Sequence, residues 1–371
     1  MRAVVFRDPA RPVEVTDVEL DAPQPGEVRV RIAAAGVCHS DLHVRRGDWQ
    51  MAAPLVMGHE GSGTVLATGA GVTSVHEGDR VILSWVPACG RCANCRAGHP
   101  ARCELCANVL APQGVLYDGT TRLHRDGERI HHYLSVSSFA EEAVVPQSGA
   151  IPIHADAPLD VMALIGCGVA TGVGAVRRTA EVPEGATVAV IGCGGVGLSV
   201  VQGARLARAG RVIAIDLDPA RGALAQTLGA TDAIAAADGS VVEHVHDLTG
   251  GGVDFAFDAI GKVETTEQAV AMLAIGGTAV VVGLPPVGAR AAFDPLTLAE
   301  REQRIVGSNY GGTHPQEDFP ELVSLYLAGE LLLDELVSGR RPLEDAEDAL
   351  QELAAGRALR TLLVPSLRSS T

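Results

Sequence analysis

Residues 186–197 read Ala186-Thr187-Val188-Ala189-Val190-Ile191-Gly192-Cys193-Gly194-Gly195-Val196-Gly197. The run 186–192 is short and apolar, as a buried strand is, and VGLSVVQGARLARAG (196–210) carries a helical period closed by Gly210. Gly192, Gly194 and Gly197 thus form G-x-G-x-x-G between a predicted strand and a predicted helix, the context that gives this pattern meaning. Such glycines, with Gly195 and Val196 in the same turn, let the backbone approach a pyrophosphate at the positive end of a helix. RVIAIDLD (211–218) is the next predicted strand, and Asp216 lies near its end. A carboxylate there can accept from both ribose hydroxyls of NAD and repels the extra phosphate of NADP. Arg221, shortly after it, is placed to border the adenosine.

Outward from this stretch the alternation continues. PARGALAQTLGA (219–230) is predicted as a helix, and VDFAFDAIG (253–261) and TAVVVGLPP (278–286) as strands. That pattern predicts a parallel sheet with helical crossovers. Before about residue 150 the texture differs: EVRVRIAAAG, GSGTVLATG and DRVILSW are short alternating runs separated by turn residues, with no long helical period. After about residue 310 come two helix-like stretches, 319–330 and 344–356, and a short strand, 360–365. The segment Gln113–Tyr133 is polar, turn-rich and long for a connection, which predicts an ordered surface excursion with a role in packing or assembly. The fold class is α/β.

The chain has 371 residues, 47% of them apolar and 20% charged, enough to build real cores. Its net charge of −16 opposes binding to phosphate backbones and anionic membranes, so neither nucleic acid nor a membrane is an expected partner. No apolar run is long enough to span a bilayer, and the first residues read as a strand rather than a signal peptide, which together predict a cytoplasmic protein.

The chain contains eight cysteines. Cys89, Cys92, Cys95 and Cys103 stand as C-x2-C-x2-C-x7-C. Four thiolates at that spacing close a tetrahedron around Zn²⁺ and leave no position for water, the chemistry of a structural zinc. Gly90 and Gly98 suit the tight turns such a knuckle needs. Cys106 falls outside the pattern and reads as a spare core thiol. Cys38, His59 and Cys167 are candidates for a second ion, with Glu60 as a transient fourth ligand and Asp41 as the acceptor that orients His59. Three protein ligands leave an open position, where zinc lowers the pKa of a bound alcohol or water. These residues are far apart in sequence, so spacing leaves open the alternative of ordinary core cysteines and a buried histidine.

CHSDLH, GHEGSG, the four-cysteine knuckle, LIGCG, GCGGVG and the closing ALRTLLVP follow one another in an order that resembles the zinc-dependent medium-chain alcohol dehydrogenases. The resemblance spans nearly the whole chain. It implies a GroES-like β-barrel catalytic domain, residues 1–168 and 310–371, with a structural-zinc lobe at about 87–106. A doubly wound, NAD-binding Rossmann domain, residues 169–309, interrupts it. The resemblance makes Cys38, His59 and Cys167 the catalytic zinc ligands, Glu60 the alternate ligand and the four clustered cysteines the structural set. It makes Ser40 the hydroxyl that bonds the substrate oxygen and passes its proton to the cofactor ribose, and His43 the outer base that delivers it to water. His39 stands where many members carry an arginine against the pyrophosphate, Arg360 matches the other phosphate-binding arginine, and Thr171 and Val196 match positions that pack on nicotinamide.

Trp49, Trp85, Tyr133, Leu284 and Asn309 match positions lining the family's substrate pocket. Bulk at Trp85 favours primary over secondary alcohols, whereas Ser40, smaller than the common threonine, relaxes the pocket. A single methylene is discriminated by only about 1–3 kcal/mol, so a broad range of aliphatic and aromatic primary alcohols is expected. The excursion, with YDGTTR and IHHYL, is similar to the long liver-type and formaldehyde-dehydrogenase-type members, whereas CHSDLHVRRGDW and LSW are similar to microbial ethanol-oxidising ones. A competing reading is therefore a formaldehyde dehydrogenase that needs glutathione or mycothiol. Glutathione-type members hold a carboxylate with an arginine after the knuckle, and Cys106–Leu110 offers no cation. A non-catalytic nucleotide-binding protein of the same fold is a third reading, opposed by the retention of every ligand and relay residue. The family assembles as dimers or tetramers, and the expectation here is a homodimer in which TAVVVGLPP pairs with its symmetry mate.

Overall fold

The computed structural model describes residues 1–236 and 239–368. The chain forms two compact units, Met1–Gly168 with His314–Thr371, and Val169–Thr313.

The first unit is built on the strand Glu27–Gly36, whose valines and Ile32 point into the core. It pairs antiparallel with Gly61–Thr68, with Glu142–Pro146 and, near its end, with Arg360–Leu363. The last strand of the chain is thereby stitched to one of its first, Leu362 opposite Gly36. Ala150–Pro152, Arg80–Leu83 and Val337–Arg341 extend the same sheet. A second sheet runs in the order Glu14–Asp17, Arg2–Phe6, Leu55–Val56, Glu128–His132, Leu123–Arg125, Glu19–Leu20.

The excursion read from residues 113–133 thus contributes two of these strands. Asp126 and Gly127 join them, both at positive φ, the geometry of a two-residue hairpin turn. Arg122 ties the hairpin down. It donates two hydrogen bonds to Glu27, at 2.6 and 2.8 Å, and one to Asp118 at 2.7 Å, with Arg122 and Glu27 both buried. The absence of long helical periods in the first 150 residues hid the eight-residue helix His39–Arg46, too short to show a period. Late in the chain the helices are Pro315–Leu327 and Ala346–Ala354; the first starts before the predicted 319 because Pro315 suits the first turn.

The second unit is a six-stranded parallel sheet in the order Asp232–Ala235, Arg211–Asp216, Thr187–Ile191, Val253–Asp258, Leu273–Val281, Arg304–Gly307. Numbered along the chain this is 3-2-1-4-5-6, the doubly wound dinucleotide-binding order. The helix after the glycine loop is Gly195–Leu206, and Arg208 at φ 57° closes it before the predicted Gly210. The strand predicted at 278–286 runs instead over Leu273–Val281, since Gly283 and the two following prolines leave the sheet. It is paired on both sides, so it cannot be the edge that meets a symmetry mate; among the described residues the free edge on that side of the sheet is Arg304–Gly307. Among the described residues no single helix is long and apolar enough to cross a membrane.

Candidate metal centres and cofactor loop

Cys38 is the N-cap of the helix His39–Arg46, and its backbone N–H donates to the Asp41 carboxylate at 3.0 Å. The other oxygen of Asp41 accepts from His59 Nδ1 at 3.3 Å. His59 follows Gly58, at φ 88°, and precedes Gly61, the first residue of its strand; a side chain at either glycine would strike Ser138. Cys167 follows the short helical turn Ala163–Gly166. The tertiary structure brings the Cys38, His59 and Cys167 ligand atoms within 4.8 Å of one another, all three buried. His59 Nε2 is buried without a hydrogen-bond partner.

Electrostatics in the cluster suit a cation. Cys38 is held well below the ordinary thiol range, first by the hydrogen bond from Cys167 and also by the Arg360 charge, and the same bond raises Cys167. Burial opposes a charge on His59, but Asp41 and, after it, Cys38 outweigh burial and lift the imidazole to about 10. Burial pushes Glu60 up to about 7. Glu60 Oε2 accepts from the Gly168 N–H at 3.3 Å and lies 3.6 Å from Arg360, while Oε1 is buried without a partner. Gly36 and Gly168 make this pair possible, because a Cβ at Gly36 would overlap the Glu60 carboxylate and one at Gly168 the Arg360 guanidinium. Arg360 also donates to the Val37 carbonyl at 3.4 Å. The Arg360–Glu60 pair carries no local sequence signature.

Around the cluster, Ser40 Oγ lies 4.0 Å from Cys38 Sγ. Tyr133 is fully buried, donates from its hydroxyl to the Ser40 carbonyl at 3.0 Å and meets the His59 ring edge-on at 5.4 Å. His43 stacks on Trp49 with centroids 4.7 Å apart. Trp49 and Trp85 both pack against the barrel core. His39 is exposed at the start of its helix.

Cys89, Cys92, Cys95 and Cys103 also bring their sulfurs within 4.8 Å of one another. Backbone N–H groups of Cys89, Cys92 and Cys95 donate to the sulfurs of Cys103, Cys89 and Cys92 at 3.4 to 3.5 Å, which stabilises thiolates. Gly90 and Gly98 both sit at positive φ with open space where a Cβ would be. Cys106 is buried, donates to the Pro87 carbonyl at 2.9 Å and is pushed up by burial, a packed thiol as expected. Both sets fit zinc in donor chemistry: a four-thiolate knuckle, and a Cys–His–Cys set whose histidine nitrogen faces the sulfurs unsatisfied.

In the second unit Gly192 lies at φ 93°, and a Cβ on Gly197 would collide with the Gly192 carbonyl, so the loop needs both glycines. Gly194 caps the helix that Gly195 begins and Val196 continues. Asp216 accepts from the N–H groups of Cys193 at 2.7 Å and Asp218 at 2.9 Å, which fixes its carboxylate beside the glycine loop. Arg221 lies 4.0 Å from Asp218. Thr171 is half-buried, whereas Leu284 and Asn309 are exposed.

Residues 24–155 match the alcohol dehydrogenase GroES-like domain family, and residues 195–328 the zinc-binding dehydrogenase family. The S-(hydroxymethyl)glutathione dehydrogenase of Synechocystis sp. is 38% identical over 98% of this chain and 99% of its own. Among solved structures, an alcohol dehydrogenase zinc-binding domain protein from Burkholderia ambifaria is 39% identical with a TM-score of 0.94, covering 98% of both chains. The benzyl alcohol dehydrogenase of Acinetobacter calcoaceticus is 33% identical with a TM-score of 0.93, again over 98% of both. The chain belongs to the zinc-binding medium-chain alcohol dehydrogenase family. It is a zinc-dependent dehydrogenase acting on CH–OH groups, a family that uses NAD(P).

Proposed function

We propose that this chain oxidises primary alcohols, aliphatic or aromatic, to aldehydes with NAD as hydride acceptor, and catalyses the reverse reaction. The observation that carries this reading is the buried Cys38–His59–Cys167 cluster, whose three ligand atoms lie within 4.8 Å of one another with His59 Nε2 lacking a hydrogen-bond partner. Those three residues would hold the catalytic ion, with Glu60 as alternate ligand and Asp41 behind His59, and the four-cysteine set would hold a structural ion. Zinc, when bound, supplies the Lewis acidity that lowers the pKa of an alcohol hydroxyl, and NAD accepts the hydride. Ser40 bonds the substrate oxygen, and His43 takes up the released proton and passes it to solvent. Residues 1–168 and 310–371 are assigned as the catalytic domain and 169–309 as the cofactor domain. In the latter, Gly192, Gly194, Gly195, Val196, Gly197, Asp216 and Arg221 hold the dinucleotide and Thr171 packs on the nicotinamide. His39 and Arg360 serve the phosphates.

Bulk at Trp85 supports the preference for primary alcohols, and the benzyl alcohol dehydrogenase relative supports aromatic ones. The Synechocystis relative favours a second reading, the thiol adduct of formaldehyde. Against its glutathione form stands the stretch Cys106–Leu110, which carries no cation. The eight cysteines, none in a disulfide, fit a reducing cytoplasm. A homodimer would close on the free edge Arg304–Gly307, and the chain leading to that strand exposes Leu284, Val287, Phe293 and Leu296.

The test is NADH formation by the zinc-loaded protein on ethanol, hexanol, benzyl alcohol, isopropanol, and formaldehyde with and without mycothiol or glutathione. Fast turnover of primary alcohols without a thiol, with isopropanol slow, is the expected result. Activity confined to formaldehyde plus thiol replaces it with the second reading, and equal rates on isopropanol would remove the role given to Trp85.

A further inference from the structure

The helix His39–Arg46 ends in a left-handed turn at Gly47, φ 79°, which carries the chain back over its own last turn. The Asp48 N–H donates to the His43 carbonyl at 2.9 Å, and the Trp49 N–H reaches the same carbonyl at 3.4 Å. This return brings two side chains onto one imidazole. Asp48 Oδ2 lies 2.9 Å from His43 Nδ1, and the Trp49 ring stacks on the imidazole with 20° between planes. A carboxylate can only accept, so Nδ1 carries the hydrogen and Nε2 of neutral His43 is left with its lone pair. His43 and Asp48 are both partly exposed, so Nε2 has a route for exchanging protons with water. Of the other ionisable groups on the helix, Asp41 is bonded to Cys38 and His59, His39 is exposed, Arg45 is turned to Glu347 and the Pro9 carbonyl, and Arg46 is exposed.

We infer that Asp48 is a positioning residue for the reaction, holding His43 in the Nδ1–H tautomer with Nε2 as the proton-accepting atom, while Trp49 fixes the plane of the ring. This rests on the reading of His43 as the outer proton acceptor. When Nε2 takes a proton, the imidazolium that forms keeps its Nδ1–H on the Asp48 carboxylate, which holds the ring in place until the proton leaves to water or buffer base. The Nε2–H bond forms as an O–H bond of the relay breaks, and it breaks again as the proton passes to water or buffer base. Trp49 then packs against the core and also holds the plane of the relay imidazole.

Two readouts test this in the zinc-loaded enzyme. Ring ¹⁵N shifts of His43, assigned by their loss in His43→Gln, report the tautomer directly. The expected spectrum is Nδ1–H in the wild type and loss of that preference in Asp48→Asn, since an amide can also donate to the ring. Alcohol oxidation by Asp48→Asn should lose about 10- to 100-fold in kcat, part of the roughly 10²–10⁴ that a positioned base contributes, with KM for the alcohol nearly unchanged. Asp48→Glu should recover part of the loss. A wild-type His43 in the Nε2–H form overturns the inference, whether or not any variant folds. So does an Asp48→Asn enzyme of wild-type kcat alongside a slow His43→Gln. If His43→Gln itself keeps full kcat, the failure lies with the role given to His43.

Discussion

Asp41 and His59 form a buried pair in which one carboxylate oxygen accepts from Nδ1 at 3.3 Å, so that the opposite nitrogen, Nε2, faces the Cys38 and Cys167 sulfurs. The second oxygen of the same carboxylate accepts the Cys38 N–H at 3.0 Å, so Asp41 sets the positions of two of the three ligands at once. Carboxylates behind metal-bound histidines fix ring orientation and raise ligand basicity.

Asp41→Asn should therefore weaken zinc at this cluster by about 10- to 100-fold, the usual effect of losing such a carboxylate. Chelator competition with a chromogenic zinc indicator measures it. The four-cysteine site should hold its zinc unchanged in the same titration.

The knuckle is independent in ligands and in sequence from the Cys38 cluster. Cys103→Ser should reduce bound zinc from two to one per chain by elemental analysis and lower Tm, because a structural site contributes folding free energy outright. Retention of two ions in that variant would contradict the four-thiolate assignment.

Arg122 and Glu27 are both buried and joined by two hydrogen bonds. Arg122→Met leaves the Glu27 carboxylate without its counter-charge and should cost about 3–5 kcal/mol in urea unfolding, as breaking one side of a buried pair does. The double variant Arg122→Met with Glu27→Leu should recover most of that loss.

His132 accepts the Arg122 N–H at its Nε2, 3.2 Å away, and its Nδ1 is buried without a partner. Burial, aided by the Arg122 charge, pushes its pKa down to about 3. The unfolded chain binds a proton near pH 6.5, whereas the folded chain does not until about pH 3. Stability from this group is thus complete above about pH 6.5 and lost as pH falls, by up to about 1.4 kcal/mol per pH unit. His132→Gln should flatten the fall of urea-unfolding stability between pH 6 and about 4 relative to wild type. An unchanged slope would show that other groups set the acid limit.

Where chemistry depends on neighbours along the chain, the sequence alone makes it legible. The glycine loop, Asp216 and the four-cysteine knuckle each lie within a few turns of backbone, so spacing alone constrains them, and the structure places them accordingly. Local periodicity also predicted the parallel sheet, with errors at element ends where Arg208 or Gly283 stops an element that its side-chain pattern would have continued. The Cys38 cluster was not legible from spacing, because its members lie on three separate segments, and it was the order of motifs across the whole chain that singled them out. Tertiary structure alone made the Arg360–Glu60 pair, the Arg122–Glu27 anchor and the bond from Tyr133 to Ser40. It also showed that Leu273–Val281 is an interior strand, since an edge is defined by which strand lies beside it. Each of these joins residues far apart in the chain, and such contacts follow from how strands are ordered in a sheet, which no short window of residues contains.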